Sequence, residues 1–387
     1  MLEVKTRSVE AGATTMRAAA AAMEDQTPLH LHPLPLPKPT QSHQIQVISL
    51  ALSTGTLSSQ IQAAREIRKL IRSSPSPASA AKIRSRLVAA GVVQPLVSML
   101  GCGSVEAREV GLVAVLNLAA RNERNKVNIV ASGAIPPLVE ILKSQTGKLP
   151  ELATAAILSL STAPSNKLII ANSGAPPLLV HILGNGTIQG KVDAVTALCY
   201  LSTGTETSTP IIDDSAVSPL ISLLRECKKY SKFAEKATAL LEILSNSEQG
   251  RIAISDCDNG ILTLVETVED GSLVSTEHAV GVLLALCRSC RSKYRDLILK
   301  EGAIPGLLRL TVEGTDVARE RATMLLDLLR DSTPQKRLAS SILEEIAYDI
   351  ALSVGPADKA SETAKRLLLD MVRTSMELRK NRFQLLE

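Results

Sequence analysis

The strongest constraint on this chain is a recurrence. Between residues 91 and 302 it returns, every 41 to 44 residues, to Gly or a stand-in for Gly, usually followed by Pro and by an apolar run with helical spacing. The phrases are "AAGVVQPLVSML", "ASGAIPPLVEILKS", "ANSGAPPLLVHIL", "DDSAVSPLISLL" and "KEGAIPGLLRLT", and the aligned positions are Gly91, Gly133, Gly174, Ser215, Asn259 and Gly302. Periods of this length mark helical solenoids, in which one unit cannot bury its own apolar face and stacking on a neighbour completes the core. Length alone suggests two or three separate domains; the repeat argues for one extended array.

The phrase reads as a corner between helices. Gly133 suits the left-handed backbone that ends a helix, and the prolines after it are tolerated in a first turn, where their missing N–H has no helical partner. The second unit then has a short helix "NKVNIVAS", a second helix "PPLVEILKS" and a longer third helix "PELATAAILSLST", with Leu152, Ala155, Ala156, Leu158 and Leu160 apolar. Asn259 tolerates the left-handed region and Ser215 does so poorly, so the corner at 215 is expected to be strained or differently built.

Composition agrees with stacked helices. Aromatic residues are 2% of the chain, Trp is absent, and 45% is hydrophobic, mostly Leu, Ala, Ile and Val. With 43 basic against 39 acidic residues the formal charge is +4, too balanced to predict a nucleic-acid partner. The longest apolar run, "AVGVLLALC", is about half of a membrane span, so no stable membrane insertion is expected. The N-terminus lacks a secretory signal, and Glu3, Glu10, Glu24 and Asp25 oppose a transit peptide. Six irregularly spaced cysteines read as reduced thiols. The expected location is cytoplasm, nucleus or both.

Three zones follow. Residues 1–42 read as a disordered Ala/Pro-rich arm; Pro28, Pro33, Pro35, Pro37 and Pro39 include no P-x-x-P pair. Residues 43–330 are the solenoid. Residues 331–387 read as C-terminal capping, amphipathic helices, with Ala364, Leu367, Leu368, Met371 and Ser375 on one face. A partner-binding helix is the alternative there. A lipid-binding or kinase-associated regulator is a further one, its Lys365, Arg366, Arg373, Arg379, Lys380 and Arg382 being offset by Glu362, Asp370 and Glu377.

No catalytic constellation is legible. "CRSC" (Cys287, Cys290) lacks the second pair that zinc needs and reads as a buried helix-end pair. His30 and His32 lie in the arm; His181 and His278 stand singly in helices, as surface or groove residues. Phosphate-loop, dinucleotide and nucleophile-elbow motifs are absent, and "GNGT" at 184–187 reads as a turn. No catalytic residue, cofactor or metal is expected, and the chain is read as a non-enzyme.

Three helices per unit with "SGAIPPLVEIL" at the corner resembles the armadillo repeat over residues 43–330, about three quarters of the chain. "VASGAIPPLVEILKS", "KATALLEILSN" and "KEGAIPGLLRL" resemble the armadillo portion of plant U-box ubiquitin ligases. The resemblance implies an all-α, right-handed α-solenoid of about six to seven armadillo repeats, its concave groove lined by the third helices. Aligned third helices put Asn117, Ser159, Tyr200, Ile243, Ala285 and Asp327 in one set and Val113, Ala155, Thr196, Ala239, Gly281 and Thr323 one turn earlier, with Arg121 and Arg124 beyond Asn117. Nuclear-import adaptors of this fold carry Asn in the first set and Trp in the second. Here only Asn117 matches, so a receptor for nuclear-localisation signals is not expected.

Further back, Glu109, Glu151, Glu235 and Glu277 recur, interrupted by Val192 and Arg319. They form either an acidic rung for a basic peptide or carboxylates favoured by helix N-termini, "LPEL" and "STEH" reading as helix starts. The expected function is a non-enzymatic scaffold or adaptor that binds a protein partner's extended segment or helix in the groove. The alternative is a substrate-binding component of ubiquitin ligation, a U-box/armadillo family member lacking its catalytic module: the U-box recruits the conjugating enzyme from before the repeats, and residues 1–42 show no plausible core for one.

Overall fold

The computed structural model describes residues 40–144, 147–203, 211–330, 344–352 and 359–371. Residues 1–39 of the expected arm lie outside these. The first helix, α1 (Gln41–Thr54), starts two residues inside the stretch read as arm. It is followed by α2 (Leu57–Arg72) and by six repeat units. These are α3 (Pro77–Ala89), α4 (Val93–Leu100) and α5 (Val105–Ala119); α6 (Glu123–Ala131), α7 (Ile135–Leu142) and α8 (Leu149–Ser161); α9 (Pro164–Ala171), α10 (Ala175–Asn185) and α11 (Ile188–Ser202). Then come a 3₁₀ turn (Asp214–Ala216), α12 (Val217–Glu226) and α13 (Lys232–Ser245); α14 (Glu248–Asp256), α15 (Gly260–Asp270) and α16 (Leu273–Ser289); α17 (Arg291–Lys300), α18 (Ile304–Glu313) and α19 (Asp316–Leu329). The described residues contain no strand.

The third helices stack in order, α2 on α5, α8, α11, α13, α16 and α19, and the second helices α4, α7, α10, α12, α15 and α18 form a parallel layer. One continuous apolar core, from Ile45 to Leu329, lies between them. This is the all-α solenoid of armadillo type. Close stacking of the third helices rests on small residues: Ala107, Ala114, Ala153, Ala156, Ala194, Ala197, Ala234, Ala237, Ala279 and Ala322 are all buried. Alanine loses no side-chain entropy and lets backbones approach, while the leucines between them fill the volume.

The corners follow the sequence logic closely. At Gly133 the backbone is left-handed (φ 83°), its N–H bonds to the Val130 carbonyl at 2.9 Å, and the Ala134 N–H reaches back to the Ile129 carbonyl at 3.3 Å. That pair of bonds is a Schellman motif, and buried Ile129 and Ala134 supply its apolar contact. Asn259 takes the same region at φ 57°. Ser215 does not. It lies instead in the 3₁₀ turn, whose start is capped by Asp213 accepting from the Ser215 N–H at 3.1 Å. A residue that resists the left-handed region has forced a different corner.

Polar side chains close the junctions between units. Buried Asn125 donates to the Leu118 carbonyl at 2.9 Å, and buried Asn166 donates to Leu160 at 3.1 Å, each satisfying a carbonyl in the last turn of a third helix. Beyond the repeats, residues 344–352 and 360–371 are helical. Ala347, Ala351, Ala360 and Ala364 form a small core of their own, with Leu367 and Leu368 packed on it. Of the apolar face expected on the last helix, Ala364 is buried, Met371 is exposed, and Ser375 lies outside the described residues. An ion pair between Arg330 and Glu344 (2.7 Å) joins this pair of helices to the last repeat.

Gly133 has open space where a Cβ would stand, so its replacement costs only backbone strain. Gly133→Ala is expected to destabilise the chain by about 1–2 kcal/mol in urea denaturation, whereas Asn259→Gly, which removes such strain, is expected to cost nothing.

Candidate functional site

The aligned residues of the third helices share a register. Val113 and Asn117 on α5, Ala155 and Ser159 on α8, Thr196 on α11, and Ala239 and Ile243 on α13 are all half-buried, and the residue after each is buried in the core. Tyr200 and Asp327 are exposed, as is Arg121 just past α5; Gly281 is buried in the middle of α16. The positions therefore form a stripe along one layer. Several already have partners within the chain. The Asn117 amide donates to the Val113 carbonyl at 2.7 Å, and Thr196 donates to Val192 at 2.7 Å. Lys236 from α13 lies 5.1 Å from the centre of the Tyr200 ring, a cation–π contact between adjacent third helices.

The two edges of this layer differ in charge. At the N-terminal ends, Ser or Thr caps every third helix except α8: Thr56, Ser104, Thr187, Ser231, Ser272 and Thr315 each accept a backbone N–H. Two of the recurring carboxylates serve these caps. Glu235 accepts from Ser272 at 2.9 Å, and Glu277 accepts from Thr315 at 2.5 Å, each reaching the cap of the next third helix. Burial pushes the Glu235 carboxyl up, but hydrogen bonds from Lys232 and Ser272 outweigh it and hold it below the usual glutamate range. Glu151 and Glu235 lie in first turns, as the helix-dipole reading requires. "STEH" is not a helix start: α16 begins at Leu273, leaving Glu277 in its second turn.

At the C-terminal ends, basic residues of the first helices supply donors. Arg84 donates to the Asn117 carbonyl at 2.8 Å, Lys167 to Thr203 at 2.7 Å, Arg251 to Ser245 at 2.9 Å and Arg291 to Leu328 at 2.6 Å. The last carbonyls of a helix carry its negative pole, so cations settle there. Burial and then the charge of Arg121 pull the Arg84 guanidinium below its ordinary value.

The densest polar cluster spans α13, α16 and α19. Glu242 accepts a hydrogen bond from His278 at 2.6 Å and pairs with Arg321 at 2.7 Å, and Arg321 also donates to the Glu277 carbonyl at 2.8 Å. Burial alone would raise the Glu242 carboxyl; the bond from His278 and the charge of Arg321 hold it below the usual range instead. Gly281 makes the cluster possible. A Cβ there would stand 2.6 Å from a Glu242 oxygen and 2.8 Å from an Arg321 nitrogen, so any larger residue would make the ends of the pair shift. Beside it is a cavity of about 310 Å³ lined by Arg251, Arg288, Arg321, Glu242 and Gly281 among others. Of the lining residues, Gly281 and Ala285 belong to the aligned sets of third-helix positions. Glu242, one residue before Ile243, and Arg321, two before Thr323, belong to neighbouring registers whose side chains reach between helices.

The remaining candidates stay apart. Cys287 is buried and Cys290 exposed, so they are not a buried pair; burial raises the Cys287 thiol to about 11. His181 is exposed on α10 beside Asn185. "GNGT" is the turn from α10 into the Thr187 cap of α11. Among the described residues no group of acidic, His and Cys side chains has metal-site geometry, and no single helix is long and apolar enough to cross a membrane.

Comparison with known proteins bears on the same repeats. Residues 186–348 match the family described as the plant U-box protein ARM repeat region. U-box domain-containing protein 45 of Arabidopsis thaliana is 33% identical over 100 residues, 26% of this chain and 13% of its own length. U-box domain-containing protein 25 of the same plant is 33% identical over 129 residues, 33% of this chain and 30% of its own. The chain thus spans less than a third of the length of either relative. An engineered protein of known structure aligns over 85% of this chain and 88% of its own, with a TM-score of 0.57 at 19% identity, a likeness of fold.

The Glu242 cluster makes a testable contribution to stability. A carboxyl held below its unfolded value contributes above that value, about 4.3 for Glu, and loses the contribution as pH falls through the folded value. Glu242→Gln is therefore expected to lower the melting temperature at pH 7, with the difference from wild type shrinking as pH is brought down from about 4.3.

Proposed function

We propose that this chain, an armadillo repeat protein whose repeats resemble those of plant U-box proteins, is a non-enzymatic scaffold that grips a segment of a partner protein along its third helices. The observation that carries the reading is the half-exposed stripe from Val113 and Asn117 to Asp327, repeated on consecutive third helices at one register. A stacked array offers such a stripe to an extended chain, or to one face of a helix, at several points that are weak singly and selective together. Val113, Asn117, Arg121, Ala155, Ser159, Thr196, Tyr200, Ala239, Ile243, Gly281 and Asp327 are the residues assigned to it.

A second reading, that the bound segment belongs to a substrate or component of ubiquitin ligation, is favoured by the match of residues 186–348 to the U-box ARM region. The matched part is the repeat region alone.

Affinity capture from plant extract with the full chain, beside a folded Asn117→Ala/Tyr200→Ala variant and read by quantitative mass spectrometry, tests both. Partners depleted about tenfold or more with the variant are expected, and identical partner lists would remove the groove assignment. A ubiquitin-conjugating enzyme or ligase among the depleted proteins would favour the second reading over a general scaffold.

A further inference from the structure

The cavity between α13, α16 and α19 has a charge that its own residues do not balance. Three of its lining side chains are arginines, Arg251, Arg288 and Arg321, against the single carboxylate of Glu242. That carboxylate is engaged by Arg321 and His278. Arg251 and Arg288 are left over. Arg251 is held in place by donating through one terminal nitrogen to the Ser245 and Asn246 carbonyls, at 2.9 and 3.0 Å, which leaves its other nitrogens unassigned. Arg288 meets only the sulfur of Met324, at 2.8 Å, a weak acceptor. No carboxylate among the described residues forms an ion pair with either.

Geometry gives the site depth. One side is the Glu242–Arg321 pair seated over Gly281, where the equivalent positions on the other third helices carry the side chains of Val113, Ala155, Thr196, Ala239 and Thr323. Leu284 and Ala285 complete a small apolar wall. Guanidinium groups with free donors beside a half-dry wall favour a carboxylate, which accepts two parallel N–H bonds.

We propose that this cavity is a subsite for an acidic side chain of the bound segment, an Asp or Glu whose carboxylate is held by Arg251 and Arg288. The proposal rests on the groove reading above and adds the chemistry of the occupant. It sets the C-terminal half of the groove apart from the acidic rung, whose Glu235 and Glu277 are already engaged by cap hydroxyls of the next helices.

The test is selection of random dodecapeptides displayed on phage against the full chain, followed by fluorescence anisotropy of the selected sequences as synthetic peptides. Expected are sequences with Asp or Glu at one fixed position, whose affinity falls about tenfold or more on Asp→Asn or Glu→Gln replacement in the peptide and on Arg288→Gln in the protein, and weakens with salt. Arg288→Gln removes no hydrogen bond to the backbone and should leave the melting temperature unchanged; Arg251→Gln is the second variant, read only if its melt is also unchanged. Selected peptides without an acidic position that still lose binding in Asn117→Ala/Tyr200→Ala would overturn the subsite and leave the groove standing. Acidic peptides indifferent to Arg288→Gln would likewise overturn it. Failure to select any peptide would count against the subsite and the groove reading together.

Discussion

Every unit of this chain is incomplete until another stacks on it, and the rest of the structure depends on how that stacking is made possible. A helix of eight residues such as α7, with Ile135, Leu138, Val139, Ile141 and Leu142 buried, has no stability alone. It becomes stable when its apolar side chains are covered by α8 below and by α4 and α10 on either side. The left-handed corner at Gly133 sets the direction in which α7 leaves α6, and the small residues of the third helices let successive units approach. The result is an almost wholly aliphatic core, continuous from Ile45 to Leu329, with Tyr294 the one buried aromatic among the described residues.

Stacking also aligns helix ends, and aligned ends bring charge with them. Seven third helices side by side put their N-termini along one edge and their C-termini along the other. Hydroxyl caps and glutamates collect at the first edge, arginines and lysines at the second, because each satisfies backbone groups the helix leaves open. The charged residues nearest the stripe are thus mostly structural, and the informative ones are those without an internal partner of opposite charge. Arg288 is the clearest case. Tyr200, with Lys236 against its ring, is the opposite one.

The cluster around Gly281 joins these themes. A glycine inside a helix is ordinarily a loss of about 1 kcal/mol relative to Ala, and here it opens a passage through which Glu242 and Arg321 meet across an intervening helix. Three repeats are thereby coupled by one ion pair and one histidine bond.

The sequence by itself determined the period, the three-helix unit, the corners and the register of the third helices, because these depend on local backbone preference and on apolar spacing a few residues apart. Even the exception at Ser215 was legible, since serine resists the left-handed region that glycine and asparagine accept. Tertiary structure alone decided which polar residues are engaged. Glu235 with Ser272, Lys236 with Tyr200, and Glu242 with His278 and Arg321 are pairs 36 or more residues apart, set by the offset between stacked helices. A one-dimensional alignment compares equivalent positions, whereas these contacts join inequivalent ones. That is why it found Gly281 and passed over the charges beside it.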